Sequence, residues 1–359
     1  MERVEILKIS QSTLLKAIQI VHKAIGTSII LPVTENYQFT IKGNKLTIAA
    51  TNMKYYIRTI VDVTAEDMCV LINASKLFNL ISQLPDQSIE FTFTEGRVLI
   101  KYAGGKIDLP TENGNDFPTM TEPKGQTMVI KSDILMDGLA KVIPSKEKSR
   151  PDKPALECVN MVLSPASVVF NAGGAGGLAH FIYDTPHEVT ADLLIPEHCF
   201  GAFDLPKDTD VAVIIGKANM GLYIDQTAIL IGLLDDQFPD IVAKLTSNEP
   251  ITAKVDRELL LSTINRIKSF TPIGNKMLKL QFDRVLKITA QDHNFEHSAE
   301  EEIACEYTGE PITIGTNADN FYNAVKRMSE FTMHLSGPKQ PITLRGDGGL
   351  IMVMPVHLS

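Results

Sequence analysis

The chain is 359 residues long, 44% hydrophobic and 21% charged, which supplies apolar side chains for two or three cores and excludes a disordered or fibrous chain. No window approaches the roughly 20 consecutive apolar residues of a membrane-spanning helix, and the opening MERVEILKIS carries no apolar run, so a cytoplasmic protein with no membrane partner is expected. The net charge of -9 argues against a nucleic-acid binder, whose affinity comes from Lys and Arg neutralising phosphates, unless the cations are segregated onto one surface.

In chain order, the first signal is a short strand running into an amphipathic helix, LKISQSTLLKAIQIVHKAI from Leu7, with Leu14, Leu15, Ile18, Ile20 and Val21 near helical spacing. A second strand–helix unit, VLINASKLFNLISQL, follows, then an alternating stretch, IEFTFTEGRVLIKYA, that reads as a hairpin of antiparallel sheet. Asp116-Phe117-Pro118 closes this succession. The same succession returns about 120 residues later as MVIKSDILMDGLAKVI from Met128, DLLIPEHCFGAF and DVAVIIGKANMGLYI, closed by Gln237-Phe238-Pro239 at a spacing of 121. A third round comprises TAKVDRELLLSTINRIKSF from Thr252, ITIGTNADNFYNAVKRM and FTMHLSGPKQPITLR, and ends on Met354-Pro355. Ser10, Ser132 and Asp256 stand where N-caps or first-turn residues belong. The chain therefore divides near residues 122 and 246 into copies 1–122, 123–245 and 246–359. Each is α+β, with two helices packed on antiparallel sheets.

Four cysteines, Cys69, Cys158, Cys199 and Cys305, lie far apart, with no CxxC pair and no histidine at ligand spacing. Buried free thiols are expected, with neither a disulfide framework nor a metal or other cofactor.

Dispersed motifs then match a known family in order and spacing. Leu31-Pro32 after the first helix, LTIAATNMKYYIRT, DDQFPD (235–240), LKITAQD (286–292) and MVMPVHL (352–358) are similar to segments of the bacterial sliding clamps, the beta subunits of DNA polymerase III holoenzyme, over essentially the whole chain. The resemblance implies three tandem clamp domains and a ring-forming head-to-tail homodimer, with helices lining the hole and sheets forming the outer wall. It implies a processivity factor without enzymatic activity, whose partners are double-stranded DNA, the replicative DNA polymerase, a clamp loader and other proteins carrying clamp-binding motifs. A clamp-fold platform on DNA without a replicative polymerase role is the alternative.

Charge patterning suits this reading. The first helix carries Lys16, His22 and Lys23 with no acid through Ile25, and Lys141, Lys146, Lys148, Arg150 and Lys153 crowd one segment resembling the family's DNA-contacting loop. Arg266 and Lys268 follow the first helix of the third copy, with Lys276 beyond them and Lys326-Arg327 ending the second helix. Each can face phosphates, and a sliding ring needs sequence-independent attraction rather than base readout. Ser28 stands where the family often has arginine.

By matching motifs, the partner-peptide cleft comprises Leu156, Gly173, Ala175, Leu178, Pro239, Lys244, Val353, Met354, Pro355, Val356 and Leu358. Its largely apolar composition suits an extended peptide with a few hydrophobic anchors. The Gly173–Leu178 turn replaces a more side-chain-rich family turn, His357 replaces an arginine, and Ser359 extends beyond the usual terminal leucine. A shallower pocket and aliphatic anchors are therefore expected. The dimer joint is expected to set Ile107 and Leu109 against Ser269 and Phe270, with Lys76 near Glu300, Glu301 and Glu302.

The glycine run is also the best candidate for a phosphate loop, but it leads into LAHFIYDT, which reads as a strand rather than a helix N-terminus, and no Gly-Lys-Ser/Thr follows. No GxSxG, HExxH or paired His/Asp constellation accompanies it.

Overall fold

A computed structural model describes residues 5–26, 31–240, 249–272, 274, 276–292 and 297–358. The first round of elements is β1 (Glu5–Ser10), α1 (Gln11–His22), β2 (Asn36–Lys42), β3 (Lys45–Thr51), β4 (Tyr55–Asp62), β5 (Met68–Asn73), α2 (Ala74–Gln83), β6 (Ser88–Thr94), β7 (Arg97–Tyr102) and β8 (Gly105–Asn113). The second is β9 (Gln126–Lys131), α3 (Ser132–Val142), β10 (Cys158–Ser164), β11 (Ser167–Gly174), β12 (Gly177–Asp184), β13 (Ala191–Pro196), a 3-10 segment (Glu197–Phe203), β14 (Asp210–Ile215), β15 (Asn219–Ile224) and β16 (Thr227–Gly232). The third is β17 (Ile251–Lys254), α4 (Arg257–Ile267), β18 (Met277–Phe282), β19 (Val285–Asp292), β20 (His297–Ala304), β21 (Glu306–Tyr307), β22 (Ile312–Asn317), α5 (Ala318–Lys326), β23 (Thr332–Leu335), β24 (Ile342–Gly346) and β25 (Gly349–Val353).

The elements follow from local chemistry. In β1 the alternation buries Leu7 and Ile9 and leaves Ile6 and Lys8 outside. Ser10 then caps α1 by accepting from the Thr13 amide at 3.2 Å, and Asp256 caps α4 by accepting from Leu259 at 2.7 Å. Ser132 behaves differently: it is the first residue of α3, and its hydroxyl accepts from the Thr209 amide at 3.1 Å. Asn73 and Asn317 cap α2 and α5. One expected helix is absent, because EHCFGAF forms a 3-10 segment of seven residues. Gly201 inside it lowers helix propensity by about 1 kcal/mol, and Pro206 disfavours helical backbone at Leu205, so a short helix has little to propagate from.

Two compact units are present, 1–133 with 198–233 and 134–197 with 234–359, so their seams do not coincide with residues 122 and 246. The first unit holds a twelve-stranded sheet in the order β1-β6-β7-β8-β5-β2-β3-β4-β16-β15-β14-β9. The second holds a nine-stranded sheet, β13-β10-β11-β12-β25-β24-β23-β17-β21, and a four-stranded one, β20-β19-β18-β22.

These orders contain one pattern three times. The ladder β1-β6-β7-β8 recurs as β9-β14-β15-β16 and as β17-β23-β24-β25, while β5-β2-β3-β4 recurs as β13-β10-β11-β12 and as β22-β18-β19-β20. Successive rounds are stitched at equivalent strands: β4 pairs antiparallel with β16, Thr59 opposite Thr227, and β12 pairs with β25, Phe181 opposite Gly349. The corresponding third edge, β20, ends its sheet among the described residues.

Among the described residues no helix is long and apolar enough to cross a membrane. All four cysteines are free; Cys158 and Cys199 are buried, whereas Cys69 and Cys305 are only partly so.

Candidate partner cleft and nucleic-acid interface

The repeated Phe-Pro punctuation leads to the cleft. Phe117 is buried among Ala49, Tyr56, Leu71 and Leu230, with Val33, Met120 and Tyr223 closing over that cluster. Its counterpart Phe238 is only half-buried. It packs on two small apolar clusters, Leu178 with Leu350 and Met352, and Ala155 with Cys158 and Leu194. The same sequence signal thus gives a fully buried phenylalanine in one place and a half-exposed one, laid over two buried apolar clusters, in the other. Burial pushes the Cys158 thiol up to about 11, so this cysteine serves as an apolar filler.

The ladder sets the walls. Leu178 stands opposite Met352 and Gly177 opposite Val353, and the Met354 amide donates to the Gly176 carbonyl at 3.2 Å. Pro355 bridges to Thr316, and the Val356 amide donates to the Gly315 carbonyl at 2.8 Å, fastening the tail along β22. Val353 is buried in the sheet, while Met354 is 41% exposed, Val356 and Leu358 are partly buried, and Pro239 is exposed. Leu156 is half-buried on the 3-10 turn Pro154–Glu157, and its carbonyl accepts from Glu147 at 2.9 Å.

The glycine run does more than remove side chains. Gly173 is buried opposite Leu178. Gly177 has φ +154°, and a Cβ there would lie 2.1 Å from the Met352 carbonyl oxygen. A Cβ on Gly174 would stand 3.0 Å from the Glu147 amide, and one on Gly176 would stand 2.7 Å from Asn320 Nδ2. The run therefore admits Glu147, whose carboxylate accepts from the Ala175 amide at 2.9 Å, and Asn320 from α5. This side is a cavity of about 190 Å³ bounded by residues 144–148, 175–177 and 351–353 together with the polar side chains of Asn320, Asn323 and Arg327.

Leu194 and Leu350 in the apolar clusters, and Glu147, Asn320 and Asn323 around the cavity, were not singled out by the sequence as candidate cleft residues. The 121-residue repeat of Phe117 and Phe238 was the signal that could have marked Phe238. Lys244, like Ser28 and Ser359, lies outside the described residues.

The cations separate into free and committed groups. On α1, Leu14, Ala17, Ile18 and Val21 face the core and Lys16 is exposed, with no recorded partner among the described residues. Lys148 and Lys153 are likewise exposed without a side-chain partner among the described residues. Lys23 is ion-paired to Asp204 at 2.7 Å. Lys141 lies 3.2 Å from Asp137 and 4.9 Å from the Phe181 ring centroid. Lys146, its side chain only 6% exposed, is held by Glu197 at 2.6 Å. Arg150 is 3.0 Å from Asp152, and its amide donates to Glu157. Arg266 grips Glu301 at 2.8 and 2.5 Å; this pairing raises the guanidinium and lowers the carboxyl from their ordinary values. Lys268 lies over the Tyr322 ring at 4.6 Å, and Lys276 pairs with Asp319 at 2.6 Å.

The residues expected at a dimer joint fall on two strands, a 3-10 turn and a helix start. Ile107 and Leu109 lie on β8, the first half-buried and the second buried. Ser269 and Phe270 are exposed on the turn Lys268–Phe270. Glu300, Glu301 and Glu302 lie on β20, with Lys287 2.6 Å from Glu300, and Lys76 is exposed in the first turn of α2.

Comparisons with known proteins place this architecture. The family model described as DNA polymerase III beta subunit, N-terminal domain, matches residues 6–121, and that described as the C-terminal domain matches 245–350. Curated relatives include the beta sliding clamp of Pseudomonas aeruginosa, 24% identical across 86% of each chain, and that of Pseudomonas putida, 23% identical across 98% of this chain and 99% of the relative. Among solved structures, the Pseudomonas aeruginosa sliding clamp bound to griselimycin superposes with a TM-score of 0.93 at 22% identity, covering 99% of this chain and all of that one. The Thermotoga maritima DNA polymerase III beta subunit gives 0.90 at 17%, with the same coverage. With both terminal thirds matched by domains of one family and the fold shared end to end, this chain belongs to the bacterial DNA polymerase III beta subunits, the beta sliding clamps.

Proposed function

We propose that this chain is a cytoplasmic DNA polymerase processivity factor, a homodimeric ring that encircles duplex DNA without catalysing a reaction. In this reading a clamp loader opens the ring. The replicative polymerase and other proteins with clamp-binding motifs dock an extended peptide in the cleft around Leu178, Phe238 and Met354.

The observation that carries the proposal is the twice-used stitch between rounds, β4 with β16 and β12 with β25, which leaves β20 as the third equivalent edge. Its complement is the outer side of β8 over residues 105–110, since β5 pairs only with residues 111–113. Glu301, opposite Ile288, occupies the position that Thr59 and Phe181 hold opposite Ile48 and Phe170. Gly105 correspondingly occupies the place of Thr227 and Gly349. The shared register sets Glu301 opposite Gly105 of a second copy, Lys106 opposite Glu300 and Ile107 opposite Ala299. Opposite charges and apolar groups then face each other, and an exposed edge is covered. Two such joints close a ring from two chains of three domains, 1–122, 123–245 and 246–359.

DNA contact falls to the uncommitted cations Lys16, Lys148 and Lys153, with Lys268 on its aromatic support. Primer extension by the replicative polymerase and loader on a long single-stranded template tests the proposal. Product lengths should rise from tens to thousands of nucleotides when this protein is added. Unchanged lengths would contradict it.

A further inference from the structure

Arg327, the C-cap of α5, is turned into the fold rather than toward solvent. Its Nε donates to the Asn323 carbonyl at 2.8 Å, and Nη1 donates to the Lys141 carbonyl at 2.6 Å and to Ser145 Oγ at 3.0 Å. Three of the five guanidinium N–H groups are thereby used. Nη2 has no recorded partner, and no carboxylate lies within ion-pair distance of Arg327 among the described residues. A largely buried guanidinium with only neutral partners is an uncompensated charge, retained at a free-energy cost unless an anion arrives to meet it. Burial also pushes its pKa down to about 10, which leaves it protonated at neutral pH.

Arg327 lines two hollows, and their charges differ. One sets four carboxylates, Asp137, Asp256, Glu258 and Asp347, against Lys141, Arg257, Lys326 and Arg327 itself, so its charges balance and it carries no excess positive charge. The other is the cleft cavity, where the charged neighbours are Lys146, Glu147 and Lys148. There Lys146 is matched by Glu197, Glu147 is bound by the Ala175 amide, and Lys148 is unpaired. Arg327 and Lys148 thus leave the cavity positive, with Asn320 and Asn323 as neutral hydrogen-bonding groups. Met352 belongs both to this cavity and to the apolar cluster with Leu178 and Phe238, so one bound segment reaches both.

We propose that the cleft reads an acidic side chain, an aspartate or glutamate of the same extended partner segment that fills the apolar site. Its carboxylate accepts from Arg327 Nη2 with Lys148 beside it. The proposal rests on the reading of the cleft as the partner-peptide site. Arg327 is then a specificity residue, not a cation of the DNA surface. A side chain fits better than a chain terminus, because the segment runs on past the cavity to the apolar site.

The test uses the full chain and fluorescein-labelled, C-terminally amidated peptides with a leucine pair. An aspartate is placed at each preceding position in turn, and each peptide is compared with its asparagine twin by fluorescence polarisation. The best-placed aspartate should bind wild type about tenfold more tightly than its twin, as expected for a charge-assisted bond to a partly desolvated arginine. Arg327→Gln should bring that ratio to about one, and Arg327→Lys should keep part of it. The ratio is internal to each variant, so a general loosening of the fold weakens both peptides and leaves it unmoved. A wild-type ratio near one at every position, or a ratio that survives Arg327→Gln, would overturn the proposal. So would an asparagine peptide with a free C-terminal carboxylate that gains the tenfold instead. If Met354→Ala weakens both twins while the wild-type ratio is one, this proposal alone fails. If Met354→Ala leaves both unchanged, the cleft reading fails and takes this proposal with it.

Discussion

Met354 stands 41% exposed just past a strand whose last residue, Val353, is buried, so its side chain faces out of the core, where the proposed function makes it a peptide anchor. Truncating such an anchor should remove ~2 kcal/mol of peptide affinity, roughly thirtyfold, with little change in thermal stability. Polarisation titration and a melting curve on Met354→Ala check both parts. Gly177 makes the opposite case: with φ +154° and the Met352 carbonyl 2.1 Å from any Cβ, Gly177→Ala should displace β25 from β12 and lower the melting temperature by several degrees. Gly104→Ala, whose Cβ meets only the Tyr102 ring at 3.8 Å, should shift it little. At this scale the sequence made the position of cations legible but not their commitments. Lys146 and Arg266 read as free charge, yet they are held by Glu197 and by Glu301, 35 residues away in sequence. Spacing reports which residues can share a helix face; it carries no record of which distant carboxylate the fold brings alongside.

At the scale of elements, the repeated strand pairing makes the most demanding prediction. If β20 adds to β8 of a second copy in the register that β4 and β12 use, then Ile107→Cys with Ala299→Cys lies directly opposite, within disulfide reach. Mild oxidation should give a covalent dimer and then a closed double cross-link on denaturing gels. Ile107→Cys paired with Ser298→Cys, one residue out of register, should cross-link poorly. Equal cross-linking by both pairs, or none by either, would refute the register. Helices with strong caps and clean periodicity, α1 and α4, were legible in sequence, and so was the recurrence of the one hairpin that follows the second strand–helix unit of each round, β6–β7, β14–β15 and β23–β24. The segment Glu197–Phe203 was not: its place in the repeat argued for a helix, whereas Gly201 and the following Leu205-Pro206 decided for a 3-10 turn. The glycine run was legible as a departure but not as a fit, because its meaning lies in how closely Glu147 and Asn320 approach.

At the scale of the molecule, the proposed reading asks a chain of net charge -9 to attract DNA through locally segregated cations, foremost those without internal partners. Replacing Lys16, Lys148 and Lys153 together by alanine should flatten the log-log salt dependence of DNA binding by up to about three units, one per lost phosphate contact. Replacing Lys146 and Arg266 should change it far less. Sedimentation should give a dimer of about 80 kDa, twice the 39.5 kDa chain, and a monomer at micromolar concentration would contradict a two-chain ring. The central claim is topological, so the most direct measurement is topological as well. Loaded onto a singly nicked circular plasmid with a clamp loader and ATP, then passed through gel filtration in moderate salt, the protein should co-elute with the circle. It should be lost within minutes once a restriction enzyme cuts the plasmid. Equal retention on circular and linear DNA, or retention on neither, would contradict a ring that encircles its track.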